Sequence, residues 1–286
     1  MPPAAAPGVE VPLTQRLSKL VLSAQFVWFL GHFTTVVQAL IYVFVTRSSP
    51  SGASSFAKAF YGTLLSYGII LYKAHGTPQI SRAYAQRVLM DENTQYLMLA
   101  FVWVNSKPLL VTLIPFLTFS IFHSLNYIRA EILPTLFPPT HPNPISQRLS
   151  PLILSFVQKY QSQALRAVAY LEVWITMPAL VISIFLRWTS FLSPLLYANF
   201  LRFRYYVSPM TKEAFGALRK RVDGVLEREG VPPAVKGLYG KARDWLIAYG
   251  DVEAQARARE AGPAGGAGAA GAGPTATGGT AHPRNE

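Results

Sequence analysis

From Leu20 to Thr46 the chain runs for 27 residues without a charged side chain, and no other stretch restricts the fold as much. A helix of that length covers roughly 40 Å, more than the ~30 Å hydrocarbon core of a bilayer. Arg16 and Lys19 precede it, as basic residues precede a signal peptide, but the run is too long for a signal-peptide core and reads as a retained anchor. Five further apolar segments are bounded by charges: Ala59 to Tyr72, extended to 56–73 if Lys58 snorkels, then 93–106, 108–128, 167–186 and 188–201. With 51% apolar and 14% charged residues, against about 25% charged in soluble domains, the apolar mass is expected to face lipid. The reading is an all-α integral membrane protein, with four to six apolar helices arranged as short hairpins and amphipathic helices at the C-terminus.

Several arms are short. The second, third and sixth segments have uncharged cores of 14 residues, about 21 Å of helix, so a hairpin can sit as a wedge in one leaflet or belong to an ordinary spanning bundle. Lys and Arg are sparse between paired segments (Arg47, Lys107 and Arg187) and richer in 73–92, 129–166 and both terminal regions. By the positive-inside rule both termini and the two longer loops are cytosolic. Pro115 and Pro178 each remove one helical hydrogen bond, which membrane helices tolerate. Between the second and third segments, Thr77 and Pro78 are expected to start a helix bearing Ile80, Tyr84, Val88 and Leu89, read as interfacial, with a plain connector as the alternative. The proline-rich stretch from Pro134 to Pro151 reads as an extended link.

The domains drawn are a cytosolic N-terminus over 1–19, a polytopic membrane domain over 20–208, a basic amphipathic region over 209–260, and a disordered Gly/Ala-rich tail over 261–286. Arg202 to Arg243 holds ten basic and four acidic residues, a balance suited to the anionic cytosolic leaflet or an acidic partner. No nucleic-acid partner is expected. The first stripe carries Phe215, Leu218, Val222 and Leu226, with Arg219, Lys220 and Arg221 mostly off that face. After Gly230 and Pro232, a second stripe carries Leu238, Tyr239, Trp245, Leu246 and Tyr249, flanked by Lys236, Lys241 and Arg243. The stripes seat either on a membrane surface or partner, or against each other as a small soluble hairpin.

Candidate chemistry is sparse. The chain has no cysteine, and its histidines at 32, 75, 123, 141 and 282 include no i, i+4 pair. No phosphate loop, dinucleotide fingerprint or nucleophile elbow is present. No catalytic, cofactor-binding or metal-binding residue is assigned. His32, His123 and Glu172 are the intramembrane polar groups, expected to act as bundle contacts with each other or with Arg166. The competing reading is a multi-spanning lipid-modifying enzyme or transporter using Glu172, His123 and Asn105.

Ordered pieces along the chain carry a family resemblance: Gln79-Ile80-Ser81-Arg82-Ala83, Tyr96-Leu97, Val104-Asn105-Ser106 with Pro108, and Ile114-Pro115-Phe116 with Phe119-Ser120 and His123. Glu172 with Met177-Pro178-Ala179, and Phe200-Leu201-Arg202 with Arg204-Tyr205, complete the set. In order and spacing the chain resembles the transmembrane protein 33 (Krüppel homologue 2) family, including its fungal pore membrane protein branch. That resemblance implies residence in the endoplasmic reticulum and nuclear envelope, no known catalysis, and roles in tubular membrane shape beside reticulon-type proteins and in nuclear pore distribution or assembly with nucleoporins. For the fungal branch it also implies a C-terminal region that touches membrane and binds an importin-type carrier. The Gly/Ala-rich end and long C-terminal helices depart from the animal members.

Overall fold

A bilayer offers no water to the peptide groups, so each apolar segment must satisfy its own backbone as helix. A computed structural model describes residues 11–138, 143–228 and 230–244, which are helical with no strand among them. Trp245, Leu246 and Tyr249 of the second stripe, and the 261–286 tail, lie outside the described residues. The chain divides into two units at Asp223.

The long first run is not one helix. α1 (Leu13–Val21) has no buried residue and ends at Leu22. Ser23 then caps α2 (Ala24–Ile41) by accepting the Phe26 N–H, a serine N-cap that restarts the helix and lets α1 change direction. A π-helical turn, Tyr42–Thr46, prolongs α2. α3 (Gly52–His75) has 24 residues, about 36 Å, so Lys58 does lie within a helix longer than its uncharged core. α4 (Arg82–Leu89) is capped by Ser81, whose hydroxyl accepts the Tyr84 N–H. The expected Thr77-Pro78 start is therefore four residues early: a serine side chain reaches N3, whereas Pro78 has only its fixed φ to offer.

Asp91 caps α5 (Glu92–Val104), with the Asn93 N–H donating to Oδ1 at 2.8 Å and His75 Nε2 pairing with Oδ2 at 2.7 Å. Burial works against the Asp91 carboxylate, but the His75 and Asn93 donors outweigh it and hold its pKa below the ordinary 3.8. A depressed carboxyl pKa stabilises the folded state above the unfolded-state value, and that support is lost as pH falls through the lower, folded-state value. Hydrogen exchange of the first α5 turn, corrected for intrinsic rate, is expected to quicken only below about pH 4. Asp91→Ala should quicken it at neutral pH by about 1 kcal/mol of lost protection.

α6 (Leu110–Tyr127) continues through a second π turn (Ile128–Ile132) into α7 (Leu133–Leu136). α8 (Pro144–Leu171) passes through a third (Glu172–Thr176) into α9 (Met177–Phe185). Pro134 and Pro178 stand just beyond the last two π turns. A proline leaves the carbonyl four residues back without its donor, and the wider π turn absorbs that gap without ending the helix. Here the expected extended link over 134–151 is corrected. Asn143 caps α8 by accepting the Ile145 N–H, Pro144 sits at the first position where it costs no hydrogen bond, and Pro151 is carried inside the helix. α9 stops at a Schellman motif: the Trp188 N–H donates to Ser183 O and the Arg187 N–H to Ile184 O, with Arg187 at φ 56°. α10 (Leu192–Val207) and α11 (Pro209–Leu226) follow, and 233–244 form α12.

Three of these helices, Ala24–Thr46, Leu110–Leu136 and Pro144–Phe185, are long and apolar enough to cross a membrane. α2 and α3 form the tightest hairpin. At their crossing Gly31 faces Gly62, and Thr35 Oγ1 donates to Ala59 O at 3.0 Å. α5 packs on α3 while α6 packs on α2, so these two helices, consecutive in the chain, flank the α2–α3 hairpin on either side. An aromatic core joins them, with Phe116 edge-on to Phe60, Tyr67 and Tyr96. At one end of the bundle Lys107 Nζ donates to Arg187 O at 3.4 Å. At the other, Arg16 donates to Thr135 O at 2.7 Å and Lys73 to Gln25. We call this second end, which carries α1 and α4, the basic end.

Candidate membrane interface and buried charge network

α1 and α4 each carry apolar and basic side chains, and neither has a buried residue. On α1, Leu13, Val21 and Leu22 are exposed beside Lys19; on and around α4, Ile80, Leu89 and Met90 are exposed beside Arg82 and Arg87. Such faces suit a headgroup boundary, where apolar side chains enter and cations stay among phosphates.

α11 uses its stripe differently. Thr211 and Ala214 are buried, Phe215 and Leu218 pack against the hydrophobic core, and Phe215 stands edge-on to Tyr205 at 5.6 Å. Trp174 Nε1 donates to Ala214 O at 3.0 Å. This half of the stripe closes the bundle, which leaves Arg219, Lys220 and Arg221 exposed and Val222 and Leu226 half-buried. In α12, Leu238 is 72% exposed, Lys236 and Lys241 are exposed, and Tyr239 and Arg243 are half-buried, Arg243 pairing with Asp244 at 2.8 Å.

Inside the bundle the polar groups form two clusters. In the first, Glu172 is 1% exposed, on the π turn between α8 and α9. Tyr96 Oη donates to its Oε1 at 2.9 Å, and Arg204 Nε lies 3.7 Å from its Oε2. The Arg204 guanidinium lies over the Tyr96 ring and also bonds Glu92, at the start of α5. Tyr197 Oη donates to the Glu172 carbonyl at 3.4 Å. One arginine thus ties α10 to both α5 and the α8–α9 junction. A cavity of about 10 Å³ beside Glu172, Thr176 and Tyr197 has room for a single water.

The partner expected for Glu172 was Arg166 or a histidine, and the structure corrects this. Arg166 pairs instead with Glu213 on α11 at 3.4 Å, both largely exposed. His123 belongs to the second cluster, where its ring lies 4.7 Å from that of His32 and 5.3 Å from Trp28. His32 Nδ1 is 2.9 Å from Ser120 Oγ. Arg204 was missed as a site residue because it reads, with Arg202, as one of the cations that close the sixth segment. Its signals are position, one turn from the end of an apolar run that otherwise excludes charge, and its place among the residues that carry the family resemblance.

Neither cluster is a converging acid, base and nucleophile. Among the described residues no group of three or more His, Cys, Asp or Glu comes together. The Glu172 cluster is a set of pairings that ties α5 and α10 to the α8–α9 junction.

Comparison with known proteins places these features in context. The family model for transmembrane protein 33/nucleoporin POM33 matches residues 13–251. Nucleoporin POM33 of Chaetomium thermophilum is 30% identical over 256 residues, covering 83% of this chain and 89% of that protein. The pore membrane protein of 33 kDa of Saccharomyces cerevisiae is 29% identical, covering 84% and 88%. Human transmembrane protein 33 is 26% identical, covering 82% and 90%. No solved structure matches.

Proposed function

The chain belongs to the transmembrane protein 33/nucleoporin POM33 family, and from that premise we propose a non-enzymatic membrane protein of the endoplasmic reticulum and nuclear envelope that supports nuclear pore distribution and tubular membrane shape. The names of relatives, nucleoporin POM33 and a yeast pore and endoplasmic reticulum protein of 33 kDa, favour these two membranes. The single observation that carries the reading is the set of unburied amphipathic helices, α1 and α4, to which α11 adds the exposed Arg219, Lys220 and Arg221. With the basic end in the cytosol, the orientation that the Lys and Arg count favours, these helices add area to the cytosolic leaflet and favour curved membrane.

In this reading the distal C-terminal region is the recruiting arm. Leu238, Tyr239, Trp245, Leu246 and Tyr249 seat on lipid, and Lys236, Lys241 and Arg243 meet anionic headgroups or the acidic surface of an importin-type carrier. Reticulon-type proteins and nucleoporins are the neighbours it would meet there. Full burial of a large apolar side chain contributes about 1.5–3 kcal/mol, so three such anchors decide between bound and free. The full chain carrying Leu238→Glu, Trp245→Glu and Leu246→Glu is expected to keep its abundance and its place in the reticulum while losing most nuclear-rim enrichment, read by imaging against a reticulum marker. Unchanged enrichment overturns the recruiting role.

A further inference from the structure

The helix from Pro144 to Phe185 is 42 residues long, about 63 Å and twice the ~30 Å a bilayer core can hold. Its second half belongs to the bundle and carries Glu172. Its first half is almost bare: between Pro144 and Gln163 only Val157 is buried. Ile145, Leu149, Leu152, Phe156 and Tyr160 fall at i, i+4, i+7, i+11 and i+15, one continuous stripe, and all five are exposed. A lone helix with an apolar stripe in water is marginal, so something covers it.

The contacts of α8 define its direction. Glu172 and Phe116 line the same small cavity, and Phe156 stacks on Phe122 with ring centroids 6.1 Å apart. α8 also packs on the π turn that follows α6 and on α7, whose Thr135 carbonyl accepts from Arg16, so α8 runs back alongside α6 toward the basic end.

Charge and backbone select the cover. No acidic residue lies between Pro144 and Leu171, and Arg148 and Lys159 border the stripe along one edge. Pro151 leaves the Gln147 carbonyl without its helical donor; Pro151, Gln147 and Gln158 are all exposed and lie on the face opposite the stripe, where water can meet that carbonyl. We propose that Pro144–Gln163 is a lipid-seated helix whose stripe lies in the interfacial layer of the leaflet at the basic end, with anionic headgroups drawn to Arg148 and Lys159. This surface is separate from the C-terminal stripes, and it rests on the membrane fold alone and not on the pore reading.

Because the chain has no cysteine, single thiols report cleanly. The full protein carrying Leu149→Cys or Leu152→Cys on the stripe, or Gln147→Cys or Gln158→Cys opposite, is spin-labelled and reconstituted in phosphatidylcholine vesicles with and without phosphatidylserine. The readout is accessibility to oxygen, which concentrates in lipid, relative to a water-soluble nickel chelate. The stripe positions should exceed the opposite positions several-fold. Arg148→Gln with Lys159→Gln should lower the stripe ratio in phosphatidylserine vesicles and leave it unchanged in neutral ones. Equal chelate access on both faces, meaning a helix standing free in water, overturns the proposal. So does shielding of the stripe from both probes, which would mark a protein partner. A ratio indifferent to phosphatidylserine in the unsubstituted background overturns the role of Arg148 and Lys159.

Discussion

Arg204→Leu is expected to cost the membrane bundle about 3–5 kcal/mol, because it strands a buried carboxylate without its cation. Glu172 is 1% exposed and would keep only the Tyr96 hydroxyl as a direct side-chain partner, while Glu92 would lose its link to α10. The measurement is the thermal aggregation midpoint of the purified protein in detergent, together with its steady-state level in cells; both should fall sharply. Glu172→Leu in the same chain should recover much of the loss, since removing both charges removes the unpaired one. If Arg204→Leu leaves midpoint and abundance unchanged, the network does not hold the three helices together. Recovery in the double variant also separates a packing role from chemistry, because an acid needed for a reaction cannot be restored by leucine.

Gly62→Val is the second large effect, and it comes from shape. A Cβ at Gly62 would sit 2.5 Å from the Gly31 carbonyl oxygen and 2.9 Å from the Thr35 backbone nitrogen. Both obstacles are backbone, so no rotamer change relieves them and α2 must move from α3. Overpacking of this kind costs about 1–3 kcal/mol or more, and here it also stretches the Thr35 hydrogen bond to Ala59. Close approach through small residues is the main source of packing between helices in lipid, where no hydrophobic drive assists. Gly68 on the same helix has nothing within 4 Å of its added Cβ, so Gly68→Ala should hold or raise the midpoint, gaining up to about 1 kcal/mol of helix propensity. Equal midpoints for the two variants would remove the glycine crossing from the account of this hairpin.

Much of the architecture is legible from charge alone. The apolar segments bounded by Arg47, Lys107, Arg129 and Arg187 correspond to α2, α3, α5, α6, α8–α9 and α10, because a charge in hydrocarbon is costly enough to stay at segment borders. Local cap chemistry is legible in principle too, yet Ser81 loses to Thr77 in the sequence reading because Pro78 is the louder signal. The prolines mislead most: Pro144 and Pro151 argue for a link, but one is at a helix start and the other on an open face. Likewise Phe215 and Leu218 read as surface residues and instead pack on the core, since an amphipathic stripe says that a face will be covered and not by what.

What the amino-acid sequence determines is the kind of cover each segment needs: apolar helices that suit lipid, basic amphipathic stretches with one face to be covered, and few polar groups within the apolar runs. These follow from residue type and short-range periodicity, which act within one helix. Only the tertiary structure decides which helices touch, that Gly31 meets Gly62, and that Glu172 finds Arg204 instead of Arg166. Those pairings depend on the crossing angles and rotations of separate helices. In lipid the apolar surface presented to a neighbouring helix and to the solvent is chemically alike, so hydrophobic pattern alone cannot rank one neighbour over another.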